Sequence, residues 1–291
     1  MDISKCVAFL TAVDMGSLTS AAEILGYTQS GVTRMIRSLE EELGFSILVR
    51  SKKGVEMTAN GKLMLPAIKE IVRAHRNAEE LAAEINGMTS GSLTIGSYYS
   101  VSALWMPQIL SRFREKYPNV KVNMHEGGNM EMTKWLNERS VDCCFCAAPS
   151  VEADCEWIPI IRDEMVVWLP PDHPRAKDKV FPVKDLEKEP FIITSPNHDT
   201  DQDRLLLEEK LKPDICFSTR DGFTTYNMVA AGLGISFNQR LISQKWNGAV
   251  VEIPFEPRKD VLLGIAIPSI KDASLATKKF IACVREVLSE I

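Results

Sequence analysis

Within the stretch YTQSGVTRMIRSLEEELG, residues 27 to 44, the side chains change kind along what their spacing predicts to be one helix. Gln29 carries an amide able to pair bidentately with adenine N6 and N7, and Thr28, Ser30 and Thr33 carry hydroxyls suited to base edges or phosphates. Gly31 among them leaves room for close approach. Arg34 and Arg37 follow one turn apart, matched to phosphates or a guanine edge. Three glutamates close the stretch outside the reach of a groove, where Glu41 can pair with Arg37 four residues earlier. This is the chemistry of a helix that recognises nucleic acid through its N-terminal end. The same residues also fit a plainer description, a small helical domain with a solvated arginine face.

The neighbouring segments are what would position such a helix. Ile3, Val7, Leu10 and Val13 recur at helical spacing, Gly16-Ser17 stops that helix, and Ser17 or Thr19 can cap TSAAEILG, which Gly26 ends. Val32, Ile36, Leu39 and Leu43 give the third helix an apolar stripe, and Gly44 terminates it. FSILVRSKKGVEMT then alternates and turns at Lys53-Gly54, predicting a two-stranded wing that carries Arg50, Lys52 and Lys53. Two helices separated by GYT, the second opening on Gln-Ser, match a helix-turn-helix, whose second helix enters the DNA major groove. Residues 29 to 37 and 50 to 62 together hold six basic side chains against Glu56 alone, on a chain whose net charge is −5. A basic head on an acidic body suits double-stranded DNA, because phosphate contacts supply most of the non-specific affinity.

From Thr58 to Asn86 the pattern predicts one long helix, interrupted only by Pro66. Met64, Ile68, Ile71, His75, Ala78, Ala82 and Ile85 form a heptad-like seam expected to pair with a second copy of the chain. NGMTSGS, residues 86 to 92, reads as a hinge. Beyond it strands alternate with helices in two series, which indicates mostly parallel sheet and two α/β subdomains with a cleft between them. The expected division is a DNA-binding head at 1–57, a linker and dimerisation helix at 58–87, and a sensor at 88–291. Within the sensor, subdomain I takes about 92–161 and 266–291, and subdomain II about 162–265.

Composition narrows the class. At 291 residues, 45% hydrophobic and 25% charged, the chain fits two or three compact units. No apolar run approaches the ~20 residues needed to span a bilayer, and MDISKCVAFL lacks a signal-peptide pattern, so a cytoplasmic protein without a membrane partner is expected. Seven cysteines, an odd number, fit a reducing compartment. In VDCCFCAA the alternation of a strand puts Cys144 and Cys146 on one face and Cys143 on the other. Residues two apart on a strand are poorly placed for a disulfide, and small apolar packing is the simpler account. There is no glycine-rich phosphate loop, HExxH or GxSxG, and acids such as Asp199 and Asp201 lie in a polar loop without acid–base context; neither catalysis nor a cofactor is expected.

Residues 8 to 66 resemble the winged helix-turn-helix and linker helix of LysR-type transcriptional regulators. Gly16-Ser17, Ala21-Ala22, Gln29, Thr33-Arg34, RSLEEELG, Arg50, Gly54 and Thr58 with Gly61 carry the likeness. LTIGS, RFREKYPNV, DEMVVWLPPDHP and MVAAGLGIS extend it over nearly the whole chain. Gly31 stands where alanine is common, Thr28 and Thr33 where serine is, and Val49 follows Leu48 where an aromatic is usual one place earlier; these departures bear on the operator sequence. The resemblance implies a homo-oligomer, usually a tetramer, whose sensor has the type II periplasmic-binding-protein fold and takes a small-molecule effector in its cleft. An activator of this kind would also contact RNA polymerase. By the same resemblance the cleft walls fall near Ser100 and Ser102, Asn129, Ala147, Ser195, and Phe223-Thr224. The two serines sit where a helix begins, a setting that favours an anion, although they could equally serve as caps. Two other readings stay open: a thiol-based redox regulator, and a small-molecule binding protein that does not bind DNA.

Overall fold

In the computed structural model, residues 1–51, 54–85 and 90–290 are described, with the backbone alone at 50, 51 and 84. Three helices, α1 (Ile3–Met15), α2 (Leu18–Leu25) and α3 (Gln29–Leu43), each end at a left-handed glycine, Gly16, Gly26 and Gly44. Alanines 8, 12, 21 and 22, with Leu18, Val32 and Ile36, form one small core, so the helices approach closely. The wing is a two-stranded antiparallel sheet, β1 (Leu48–Ser51) with β2 (Gly54–Met57). The turn expected at Lys53-Gly54 lies partly outside the described residues, as do Lys52, Lys53 and residues 86–89 of the expected hinge.

The long helix α4 (Ala59–Ile85) runs through Pro66 over 27 residues, roughly 40 Å at ~1.5 Å each. Thr58 starts it: its Oγ1 donates to the Ser46 carbonyl at 2.8 Å and accepts from the Gly61 N–H at 2.9 Å. A Cβ at Gly61 would stand 2.1 Å from the Ile47 carbonyl oxygen, so only glycine lets the helix dock this closely against the wing. The expected seam is divided. Ile68 is fully buried with Cys6, Phe9, Leu39 and Ile47, and Met64, Leu65 and Val72 pack on the same cluster within one chain. Of the expected seam, Ala78, Ala82 and Ile85 are left exposed, and so are Leu63, Ala74 and Leu81 outside it.

The sensor begins at β3 (Ser90–Ser97) and continues through α5 (Tyr99–Leu104), α6 (Met106–Lys116), β4 (Asn119–Glu126), α7 (Asn129–Asn137) and β5 (Cys143–Ala147). Next come β6 (Glu156–Leu169), β7 (Phe181–Pro182), β8 (Pro190–Thr194), α8 (Asp201–Glu209), β9 (Asp214–Thr219) and α9 (Gly222–Ala230). The chain closes with β10 (Ser236–Gln239), α10 (Arg240–Ser243), β11 (Val251–Glu256), β12 (Asp260–Ile267) and α11 (Leu275–Leu288). Strands β4, β3 and β5 are parallel, β12 runs antiparallel to β5, and β6 runs antiparallel to β12, β10 and β11. Strands β8 and β9 form a separate parallel pair.

The mostly parallel sheet expected from alternation is therefore mixed. The reason is that β6 and β12 are long enough to belong to both subdomains and carry the chain across between them. Where they cross, the register shifts between Leu263 and Gly264, and a Cβ at Gly264 would lie 2.2 Å from the Ile158 carbonyl oxygen. The period-2 alternation of β6 sends Met165, Val167 and Leu169 into the main core and Val166 and Trp168 into a second cluster with Tyr226 and Val229. Linker and sensor are joined by Arg76, which meets Asp142 at 2.5 Å and Ser92 Oγ at 3.3 Å, and by Asn77, which donates to the Asp272 carbonyl at 2.9 Å.

Candidate nucleic-acid interface and ligand cleft

Helix α3 begins at Gln29, with Thr28 as its N-cap accepting from the Gly31 N–H at 3.1 Å and lying 3.1 Å from Ser30 Oγ. Part of Thr28's hydrogen-bonding capacity is thus already used. A Cβ at Gly31 would stand 3.1 Å from Thr28 Oγ1, a tight contact with the cap. Gln29, Ser30, Arg34 and Arg37 are exposed, and Thr33 is half-buried. Positions 29, 30, 33, 34 and 37 share one helical face. Thr33 and Arg37 also border a groove of ≈ 300 Å³ beside Leu48 and Val55 of the wing. The backbone of Arg50 pairs with Val55 in the wing; Lys52 and Lys53 lie outside the described residues.

The acidic end of α3 has a structural task different from the expected Glu41–Arg37 pair, which does not form. Glu40 Oε1 accepts from the Ile47 and Leu48 N–H groups at 2.8 and 3.2 Å, fixing the wing to the helix. Glu42 holds Lys5 and the N-terminal ammonium, the latter at 3.2 Å, fixing the helix to α1. The carboxylates brace the helix from behind while its basic face stays open.

In the sensor, a cleft of ≈ 390 Å³ lies between the subdomains. One wall has Tyr98, Tyr99, Ser100, Glu126, Asn129 and Glu131; the other has Thr194, Ser195, His198, Asp201, Arg220 and Gln239. Of the residues expected at the cleft, the fold brings together Ser100, Asn129 and Ser195. Ser100 is buried inside α5, whose N-cap Tyr98 makes no side-chain cap, so capping does not explain that serine. Ser195 adopts φ 46° and donates its Oγ to the Arg220 carbonyl at 2.7 Å.

The other four expected residues are placed elsewhere. Ser102 is not among the cleft-lining residues, and its Oγ is shielded and without a hydrogen-bond partner among the described residues. Ala147 ends β5 on the side of a separate recess shared with Arg204 and Arg258. Phe223 packs edge-on against Trp246 with ring centroids 5.2 Å apart, and Thr224 is spent on the α9 cap, its Oγ1 2.6 Å from Asp221 Oδ2.

Two sets of hydrogen bonds hold the walls together. Tyr98 Oη donates to Asn129 Oδ1, and Asn129 Nδ2 donates to the Asp199 carbonyl on the opposite wall. Arg204 grips the Asp199 carboxylate with two nitrogens at 2.8 and 2.6 Å and also donates to the Ala148 carbonyl at 2.9 Å. Asp199, passed over in the sequence as a loop acid, is the point where both sets meet. Gln202 is buried and fully engaged, accepting from the Thr194 N–H at 2.7 Å and donating to Ser236 Oγ and the Phe237 carbonyl at 3.1 and 2.6 Å. Burial pushes the Asp201 carboxyl up to about 6 against the opposing effect of Arg204 and a hydrogen bond from Gln239. The same cause pushes Asp163, on β6, up to about 6.

The three cysteines of β5 are buried on both faces of the strand. Burial raises all three thiols, Cys146 to about 12 and Cys143 and Cys144 further. They are protonated at neutral pH, the inert state of a packed cysteine and not the thiolate of a redox centre.

Two family models cover nearly the whole chain. Residues 3–62 match the bacterial regulatory helix-turn-helix protein, lysR family, and residues 86–289 match the LysR substrate binding domain. The chain is 30% identical over 293 residues to the uncharacterized HTH-type transcriptional regulator YvbU of Bacillus subtilis, covering 99% of each. It is 27% identical over 244 residues to the HTH-type transcriptional regulator GltR of the same species, covering 83% of this chain and 81% of GltR. Full-length OxyR C199D from Pseudomonas aeruginosa has the same fold, with TM-score 0.79 at 23% identity over 99% of this chain and 94% of that one. Full-length CbnR in complex with its target DNA gives TM-score 0.64 at 18% identity, over 99% and 100%.

Proposed function

The chain belongs to the LysR family of helix-turn-helix transcriptional regulators, and from that premise we propose which residues read DNA, which sense the effector and how copies assemble. Helix α3 lies in the major groove. Gln29 reads an adenine edge, Ser30 and Thr33 contact bases or phosphates, and Thr28 contributes what its cap leaves free. Arg34 and Arg37 take phosphates or a guanine edge, and Arg50, Lys52 and Lys53 of the wing take flanking phosphates. One observation carries this reading: among the described residues Gln29, Arg34 and Arg37 have no side-chain partner, although the glutamates beside them are tied to α1 and the wing.

A homodimer forms through the exposed side of α4, where Ala74, Ala78, Leu81 and Ile85 follow a 4-3-4 spacing suited to a helix pair. Edge strands β4 and β9, each with one unpaired side, suit the further contacts of a tetramer. The effector occupies the ≈ 390 Å³ cleft, with Ser100, Asn129 and Ser195 among its contacts, and shifts the balance between open and closed sensor by its differential affinity for the two. No catalytic role is assigned. No helix among the described residues is long and apolar enough to cross a membrane, in keeping with work at cytoplasmic DNA, and an activator would there meet RNA polymerase.

Selection from a random duplex pool tests the DNA reading. Recovery of an interrupted palindrome, its arms about one helical turn apart, is expected of a dimeric reader. Uniform recovery that disappears at moderate salt would reduce the head to a backbone binder.

A further inference from the structure

The cleft carries more acid than base. Glu126, Glu131 and Asp201 line it against Arg220, with His198 beside them. Most of these groups are occupied. Glu131 Oε2 accepts from the Gly128 N–H at 3.1 Å, Asp201 accepts from Gln239, and His198 Nδ1 lies 2.9 Å from the Pro196 carbonyl. Two are not. Among the described residues Glu126 and Arg220 have no ionic or hydrogen-bonding partner for their side chains, and both are exposed. They stand on opposite walls, Glu126 at the end of β4 in subdomain I and Arg220 just after β9 in subdomain II. Opposite unit charges facing one cavity without forming an ion pair leave space for a molecule that answers both.

We propose that the effector is a zwitterion of the amino-acid class, its carboxylate taken by Arg220 and its ammonium by Glu126. The assignment rests on the sensing role given to the cleft above. A simple carboxylate, the anion suggested by the serines of α5, would satisfy Arg220 but leave Glu126 opposing it; a simple amine meets the reverse problem. A zwitterion satisfies both, and it does so across the gap, so each end contributes fully only when the walls are near each other. That supplies the differential affinity for the closed sensor that any effector needs. Tyr99, 60% exposed at the rim, offers the ammonium an aromatic face as a second neighbour. A volume of ≈ 390 Å³ is at the small end for ligand pockets, which run ~300–1,000 Å³.

The test is thermal unfolding of the full-length protein with each of the common L-amino acids in turn, followed for any hit by its decarboxylated amine and its deaminated acid. At least one amino acid should raise Tm by on the order of 5 °C at about a hundredfold excess over its Kd. Each truncated analogue should give a much smaller shift, and Arg220→Gln and Glu126→Gln should each weaken binding at least about tenfold, the scale of one lost charge-assisted contact. An acid analogue that equals its parent overturns the proposal, and so does the absence of a shift with every amino acid and amine. DNase footprinting separates the two layers. A hit that binds without altering the footprint removes the sensing role and leaves the ligand class standing. An unrelated anion that alters the footprint, while no amino acid binds, does the opposite.

Discussion

The reading face of α3 and the sensing cleft are both ligand surfaces, and they are built on opposite plans. On α3 the contacting groups come from one run, residues 28 to 37, and Gln29, Arg34 and Arg37 are left open among the described residues while Glu40 and Glu42 brace the helix from its other side. In the cleft the groups come from the ends of several separated strands and are largely bonded to one another, wall to wall, through Asn129, Asp199 and Arg204. The first surface is preformed, with Gln29, Arg34 and Arg37 unengaged among the described residues. The second is already joined wall to wall, and a ligand held by Glu126 and Arg220 would add to those links and favour the closed form. A regulator needs one of each: a rigid reader gives a fixed specificity, and a latched cleft gives a response.

The rigidity of the head depends most on how tightly α4 docks against the wing. Gly61→Ala puts a methyl 2.1 Å from the Ile47 carbonyl oxygen, against rigid backbone with no flexible side chain to yield. A loss of about 3 kcal/mol in head stability is expected, at the upper end of overpacking costs, read by urea unfolding. If Gly61→Ala unfolds like the parent, the head is softer than this comparison holds.

Base reading and backbone binding separate at the next level. Gln29→Ala should cost ~1–3 kcal/mol on the selected duplex and little on random DNA, measured by fluorescence anisotropy. Arg37→Ala, about two helical turns further along α3, should weaken all sequences alike and lower the salt slope by about 0.9. An Arg37→Ala protein with altered base preference would exchange the roles given to the two residues.

The difference in plan also explains what the sequence discloses. The head is legible because its signals are local. Glycine stops fall at three helix ends, the hydroxyl caps are beside them, and the polar face follows the helical period, so residues 28 to 37 can be placed from spacing alone. Even there the closeness of Gly31 to the Thr28 cap is hidden until the helix end is seen. The cleft obeys a longer-range rule, that ligands in α/β folds gather at the carboxyl ends of strands. Glu126 ends β4, Thr194 ends β8, Arg220 follows β9 and Gln239 ends β10. That rule finds Asn129 and Ser195, and applied more fully it points to Glu126 and Arg220. It fails at Ala147, which ends β5 but borders the other recess, because the side of a strand end is fixed by the crossing of β6 and β12. The first half of the linker seam misleads for a related reason. Periodicity marks Ile68 as buried without saying against what, and the partner is the head of the same chain.

The cleft also differs from the head in its ionisation. Asp201 and Asp163 both have carboxyls pushed up to about 6 by burial, whereas in the unfolded chain an aspartate titrates near ~4. The folded state therefore binds these protons more tightly than the unfolded state does. Between about pH 4 and 6, folding takes up protons, so stability contributed by these groups is present at the acid end and is lost as pH rises; above about 6 it no longer changes. Arg204 and the Gln239 amide oppose the shift at Asp201, and Arg240 and the Leu241 N–H oppose it at Asp163, so about 6 is what remains after burial has outweighed them. Asp201→Asn mimics the protonated side chain and should remove its part of the slope, giving a flatter Tm profile over that range while leaving the contribution of Asp163. A carboxyl on α3's side of the molecule has no such role, since Glu42 is held below its ordinary value by Lys5 and the N-terminal ammonium. Replacing Glu42 by Gln should instead lower stability at neutral pH and leave the pH 4–6 slope of the sensor intact. If Asp201→Asn leaves the profile unchanged, the acid is more solvated than its surroundings indicate, and the cleft stands more open in solution than the latch through Asp199 implies.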